Sequence, residues 1–103
     1  MYVLIFVTCK DKKESAKISR ELIKNRLAAC VNIVDKVDSL FWWKGKVDRA
    51  KEVLLIIKSR KDKLAKIIKL VKAIHSYACP EIIALPVIAG YKPYLKWLDE
   101  SVR

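Results

Sequence analysis

The chain has 103 residues, of which 53% are hydrophobic, and its 22 Lys and Arg residues against 11 Asp and Glu give a formal net charge of +11. This length fits a single domain, residues 1–103, and no apolar run approaches the roughly 20 residues of a membrane-spanning helix. A domain of this size buries only about 60–65% of its unfolded surface. We therefore expect further copies of the chain to cover part of its apolar surface.

The N-terminal apolar segment is predicted to form a first strand over Val3–Thr8. It runs directly into the charged residues 10–13 and lacks the basic start and the small-residue cleavage site of a secretory signal. The chain has an odd number of cysteines, three, and no C-x-x-C pair, which argues against a disulfide framework or a structural zinc site. A cytoplasmic protein with reduced thiols is therefore expected.

Asp11 followed by Glu14 resembles a capping box and predicts a helix over Lys12–Arg26. The next segment, Ala29–Trp43, contains neither Pro nor Gly and is predicted to be a strand with a bulge near Asp35-Lys36.

Lys44-Gly45 then supplies a turn to a return strand over Lys46–Lys58. Strands of about 13–15 residues are much longer than the usual 5–6. The hairpin must therefore project beyond the sheet, and a lone domain would leave its aromatic residues exposed, namely Phe41, Trp42 and Trp43.

Apolar residues recur at helical spacing in the next segment and predict a second helix, through Leu64, Ile67, Ile68, Val71 and Ile74. A fourth strand is predicted over Glu81–Val87, where Pro86 marks an edge or a bulge. Pro93 suits the first turn of a last short helix with Tyr94, Trp97 and Leu98 on its inner face. The order predicts an α+β, ferredoxin-like βαββαβ sandwich with a long β2-β3 hairpin and a C-terminal helix.

Two other functional classes are disfavoured by the same residues. An RNA-recognition module shares this topology, but Val53–Ile57 in the third strand offers no aromatic ring on which a base could stack. The basic residues form no tract of about 5–8 residues, so the charge is interpreted as a solvated surface of the heat-adapted kind and a nucleic-acid partner is not expected. Gly45 and Gly90 are the only glycines, so no phosphate-binding glycine loop exists, and no nucleophile and base form a pair. We therefore do not expect an enzyme.

Four short motifs stand in a fixed order along nearly the whole chain: Leu27-Ala-Ala-Cys-Val-Asn-Ile33, Ser39 to Trp43 with Gly45-Lys46, His75-Ser-Tyr-Ala-Cys-Pro-Glu-Ile82, and Tyr94-Leu-x-Trp-Leu98. Their order and spacing resemble the CutA1 family of divalent-cation tolerance proteins. The resemblance implies a homotrimer whose subunit fold and assembly are similar to those of the PII signalling proteins.

In proteins of this family the position of His75 opens a His-x-Tyr motif that is linked to divalent metal, chiefly copper. At position 78 the family often carries a residue with an oxygen ligand, but this chain has Ala78. Cys79 follows and could bind a metal together with His75. The first-strand cysteine of some members aligns with Thr8, so Cys9 is expected to face the opposite way. Two interpretations remain: His75 binds a divalent metal weakly or conditionally, with no obligatory cofactor, or it is a structural, hydrogen-bonding loop residue.

Tyr77 and Glu81 form a second group of candidate residues. They are expected either to fix the loop and the trimer, or to form the walls of an inter-subunit cleft to which the hairpin contributes Trp43, Lys46 and Lys58. Glu81 precedes a buried strand and needs a partner, which a Lys or Arg of a neighbouring subunit could supply. With such a cleft the protein would be a PII-like sensor or scaffold that binds a small anion or nucleotide.

Overall fold

The computed structural model describes all 103 residues and contains one four-stranded antiparallel sheet with the strand order β2-β3-β1-β4. The elements in chain order are β1 (Tyr2–Cys9), α1 (Lys12–Lys24), β2 (Cys30–Trp43), β3 (Lys46–Arg60), α2 (Leu64–Ile74), β4 (Ile82–Pro86) and α3 (Lys92–Ser101). This order confirms the predicted α+β sandwich with its C-terminal helix. None of the helices is long and apolar enough to cross a membrane.

Helices α1 and α2 cover one face of the sheet, and the core lies between them and the strands. Successive side chains of a strand point to opposite faces, and every second residue of β1 is buried, from Val3 to Cys9. These residues pack in one cluster with Ile18 of α1 and Ile67 of α2. The opposite face of the sheet carries further apolar side chains that are only partly buried or exposed, namely Leu4, Phe6, Leu54, Ile56, Ile83 and Leu85.

Strands β2 and β3 continue as a hairpin beyond the rest of the sheet. Strand β1 pairs with residues 53–60 of β3, so residues 46–52 pair only with β2. Lys44 and Gly45 both have positive φ, 51° and 76°, which is the backbone of the two-residue type I′ turn and explains the glycine. Trp42 and Trp43 near the tip are 75% and 55% exposed. The predicted hairpin and its exposed aromatic residues are confirmed.

The predicted bulge lies between Val34 and Val37, where the pairing with β3 shifts register. Lys36 adopts a left-handed φ of 61°, and the side chain of Asp35 accepts a hydrogen bond from the Lys36 backbone N–H at 2.8 Å. Asp and Asn tolerate and support such local turns.

The start of α1 follows the capping prediction with one difference. Asp11 Oδ1 accepts from the Glu14 backbone N–H at 2.8 Å, but Glu14 Oε1 accepts from the N–H of Lys10 at 3.3 Å rather than from that of Asp11. The helix ends at Lys24, two residues before the predicted end, because Arg26 takes a φ of 58° that breaks the helix. The cap therefore fixes Glu14 at the junction of β1 and α1.

Candidate functional site

His75 follows the last residue of α2, and its ring is completely enclosed by protein. Its Nε2 lies 2.8 Å from the carbonyl oxygen of Thr8, and its Nδ1 lies 3.0 Å from the backbone nitrogen of Tyr77. A carbonyl can only accept and a backbone N–H can only donate, so the neutral ring carries its proton on Nε2. The ring thus ties the end of β1 to the loop after α2, which is the structural role that the sequence allowed.

Three side chains able to bind a metal meet at this point: Cys9, Glu14 and His75. One potential ligand atom from each lies within 4.8 Å of the others. They come from three elements, since Cys9 ends β1, Glu14 stands in the first turn of α1 and His75 follows α2. A thiolate, a carboxylate and an imidazole together form a donor set that suits zinc or copper.

The protonation states of Cys9 and Glu14 differ at neutral pH. Burial, followed by the nearby carboxylates of Glu14 and Glu52, raises the pKa of the Cys9 thiol to about 12, so it is protonated. Burial also acts to raise the pKa of Glu14, but hydrogen bonds from Ser76 and Lys10 outweigh it and hold that pKa below its usual value. Glu14 is therefore ionised, with its Oε2 2.9 Å from the Ser76 backbone nitrogen.

Two more carboxylates make this end of the sheet acidic. Tyr77 donates its hydroxyl hydrogen to Glu52 Oε2 at 2.9 Å, and Glu52 is buried. Burial and then this bond raise the pKa of Tyr77 above its usual value. Burial and then the charge of Glu52 raise the pKa of Glu81. Neither Lys nor Arg forms an ion pair with Glu14, Glu52 or Glu81, although the chain carries a net charge of +11.

The structure changes the predicted partners of His75. Cys79 is exposed and does not belong to the three-residue group. Cys9 does face the opposite way from Thr8, and this orientation places it on the buried face of β1 together with Val7. That face packs against α1 and α2, and the adjoining ends of these helices carry Glu14 and His75.

The five predicted cleft residues fall in three separate places of one chain. Trp43 pairs with Lys46 beside the hairpin turn, Lys58 donates to Asn32 near the other end of β3, and Tyr77 and Glu81 lie near Glu52. At about 3.3 Å per residue, Lys46 and Lys58 are each about 20 Å from Glu52, in opposite directions along the strand. These residues could line one cleft only if different chains contributed them.

Glu14→Gln tests the network around His75. The pKa of Glu14 is lower in the folded protein than in the unfolded chain. The ionised carboxylate therefore stabilises the fold fully above the unfolded pKa of about 4.3, and this stabilisation is lost as the pH falls through the folded pKa. We expect the variant to lose about 1–2 kcal/mol of unfolding free energy near pH 7. Denaturant titrations at decreasing pH should find this difference shrinking in acid.

Glu21→Gln is the matched control, because Glu21 lies on the same helix and its side chain forms neither an ion pair nor a hydrogen bond. Its stability should change by less than about 0.5 kcal/mol. A Glu14→Gln loss that stays constant down to acid pH would contradict the ionised, hydrogen-bonded carboxylate.

Comparison with known sequences gives matches along the whole chain. The sequence profile of the CutA1 divalent ion tolerance protein family matches residues 3–101. The chain is 42% identical over 103 residues to the divalent-cation tolerance protein CutA of Archaeoglobus fulgidus, with full coverage of both chains. It is 44% identical over 101 residues to the chloroplastic protein CutA 1 of Oryza sativa, which covers 98% of this chain but only 57% of the rice protein.

Solved structures agree with the fold equally well. The structure of the Archaeoglobus fulgidus protein, described as a periplasmic divalent cation tolerance protein, superposes with a TM-score of 0.97 over 100% of both chains. The Cut A1 protein of Thermus thermophilus, 38% identical, superposes with a TM-score of 0.98 over 100% of both chains. The agreement in fold therefore extends from the first strand to the last helix.

Proposed function

Because the chain belongs to the CutA1 divalent ion tolerance family, we propose that it binds a divalent metal, copper first, at the group formed by Cys9, Glu14 and His75. The observation that carries this proposal is the convergence of these three donors in an acidic region of a strongly basic chain. The negative charges of Glu14 and Glu52 favour a cation there, since no Lys or Arg pairs with them.

The donor set favours copper or zinc over magnesium or calcium. Sulfur and imidazole nitrogen suit the softer first-row metals, whereas magnesium and calcium prefer sites made only of oxygen ligands. A bound ion would act here as the cargo of a tolerance protein, and the chain would supply its binding site. We propose binding rather than catalysis as the activity.

Binding at this site is conditional, because every donor already has a proton or a hydrogen bond. Cys9 must lose a proton whose pKa is about 12, and Nδ1 of His75 must release the N–H of Tyr77. The two oxygens of Glu14 accept from the N–H groups of Lys10 and Ser76. A metal therefore competes with these groups, which supports weak or concentration-dependent occupancy.

We propose that three chains assemble through the face of the sheet that α1 and α2 leave uncovered. The centre of that face is apolar, and its members Ile83 and Leu85 on β4 are 52% and 42% exposed. The hairpin adds Leu40, Trp42 and Trp43 to the exposed apolar surface. A monomer would leave this surface and the edges of β2 and β4 in water, which favours aggregation.

In such a trimer the hairpin of one chain could reach the loop of the next. Trp43 and Lys46 of one chain would then approach Tyr77 and Glu81 of another, and a lysine would offset the carboxylate charge. The alternative ligand, a small anion or a nucleotide in this cleft, is less favourable beside Glu81 and Glu52, which repel each other's charges.

We also propose a cytoplasmic location. All three cysteines are free, including the fully buried Cys9, and a reducing compartment keeps thiols in this state. Fractionation of the source cells with detection by antibody tests the location, and recovery in a periplasmic or extracellular fraction would contradict it.

Zinc titration tests the metal site, because zinc binds thiolate and imidazole ligands as copper does but does not oxidise thiols. In a Cys30→Ala, Cys79→Ala background, which removes adventitious thiols, we expect one zinc ion per chain. Since one thiol proton leaves Cys9 on binding, the affinity should rise about tenfold per pH unit between about pH 7 and 9.

Adding Cys9→Ala to this background should weaken zinc binding by at least about tenfold and remove the pH dependence. The Cys79→Ala change alone is the control and should leave the affinity within about threefold. Unchanged affinity after Cys9→Ala would contradict the site.

Light scattering tests the assembly and should give three times the 11.9 kDa chain mass. Ile56→Glu places a charge on the uncovered face and should reduce the mass to that of one chain, because a buried, unpaired carboxylate is strongly unfavourable at an interface. Ile68→Glu, on the helical side and 39% exposed, is the control and should remain trimeric. A monomeric parent protein would contradict the assembly.

A further inference from the structure

The outward side of α1 and α2 carries much of the positive charge of the chain. Helix α1 has five basic and two acidic residues, and residues 61–74 have five basic and one acidic. One of these acids, Glu14, is turned towards Ser76 and His75. This helical layer lies opposite the uncovered face of the sheet and would stay accessible in the assembled protein.

An open groove of about 500 Å³ lies between the end of α1 and the side of α2. Lys66, Lys69 and Arg103 line it together with Asn25 and apolar residues such as Leu27 and Leu70, and its lining includes no acidic side chain. Its volume falls within the range of about 300–1,000 Å³ that small-molecule sites occupy.

The three cations of the groove have no partner within the chain. The side chains of Lys66, Lys69 and Arg103 form neither an ion pair nor a hydrogen bond, whereas Arg60 is held by Asp62 and Asp99. Lys66 and Lys69 stand three residues apart on one helix face, where like charges repel. A bound anion would offset this repulsion.

The groove is also held in place by backbone contacts. The backbone N–H of Arg103 donates to the carbonyl oxygen of Arg26 at 3.0 Å, and the Arg26 guanidinium donates to the carbonyl oxygen of Ser101. These bonds fix the segment that carries Arg103 against the end of α1. The backbone at Arg103 is therefore positioned beside the groove before a ligand binds.

We propose that this groove binds an anion with two or more linked phosphoryl groups, the chemistry that inorganic polyphosphates and nucleoside di- or triphosphates share. Lys66 and Lys69 neutralise phosphoryl charge, and the planar guanidinium of Arg103 offers paired hydrogen bonds to phosphoryl oxygens. The groove is distinct from the metal site, because Glu14 and Asn25 are 11 residues apart and therefore about 17 Å apart along α1.

Calorimetry with tripolyphosphate in a low-salt buffer at neutral pH tests this site. We expect saturable binding of one tripolyphosphate per chain. The double variant Lys66→Gln, Lys69→Gln should bind at least about tenfold more weakly, because two charge-assisted contacts are lost. The double variant Lys13→Gln, Lys17→Gln removes the same charge from α1 outside the groove and should stay within about threefold of the parent.

If both double variants bind tripolyphosphate more weakly to the same extent, the proposal is overturned, because the total charge of the helical layer would then account for the binding. The absence of saturable binding to the parent protein, or inorganic phosphate binding as tightly as tripolyphosphate, would also overturn it. If ATP binds more tightly than tripolyphosphate, the ligand is a nucleotide that contacts Leu27 and Leu70. If the two affinities are equal, the groove recognises the phosphate chain alone. An unchanged circular dichroism spectrum establishes that the variants are folded.

Discussion

The imidazole of His75 is the contact on which the site depends. It joins the carbonyl of Thr8 at the end of β1 to the N–H of Tyr77 in the loop after α2. Because the ring is fully enclosed, removing it would leave two backbone groups without partners, at a cost of about 1–3 kcal/mol each. The same ring stands beside Cys9 and Glu14. Folding and the proposed metal binding therefore use the same nitrogen atom, Nδ1.

This shared use explains why the proposed metal binding is conditional. No buried side-chain nitrogen or oxygen lacks a hydrogen-bond partner, so the metal-free site is complete without an ion. The protonated thiol of Cys9 adds a further barrier to metal entry. The proposed site would therefore hold metal only when metal is abundant, and the hydrogen bonds would re-form when it is scarce.

Local sequence signals predicted the fold because each element carries its own pattern. Residues 44 and 45 set the hairpin turn, and the apolar run over Val3–Thr8 predicted β1. Reasoning along the chain paired His75 with Cys79, its neighbour in sequence, whereas the structure groups His75 with Cys9 and Glu14. Cys9 and Glu14 lie more than 60 residues away and reach His75 only through packing. One signal was present, since the capping motif fixed Glu14 at the helix start. Because β1 is apolar at every position from Val3 to Val7, its sequence does not show which face is buried and so did not place Cys9. The acidic surroundings depend on strand register, which pairs Cys9 with Val53 and so brings Glu52 close.

In the proposed site, His75 exchanges a hydrogen bond for a metal. Nuclear magnetic resonance of the His75 ring nitrogens and the Tyr77 amide, with and without one equivalent of zinc, tests this exchange most directly. Without zinc we expect a neutral ring with its proton on Nε2 and a protected Tyr77 amide. Zinc should then shift the Nδ1 resonance and speed exchange of the Tyr77 amide hydrogen. Stoichiometric zinc binding that leaves both signals unchanged would contradict the exchange.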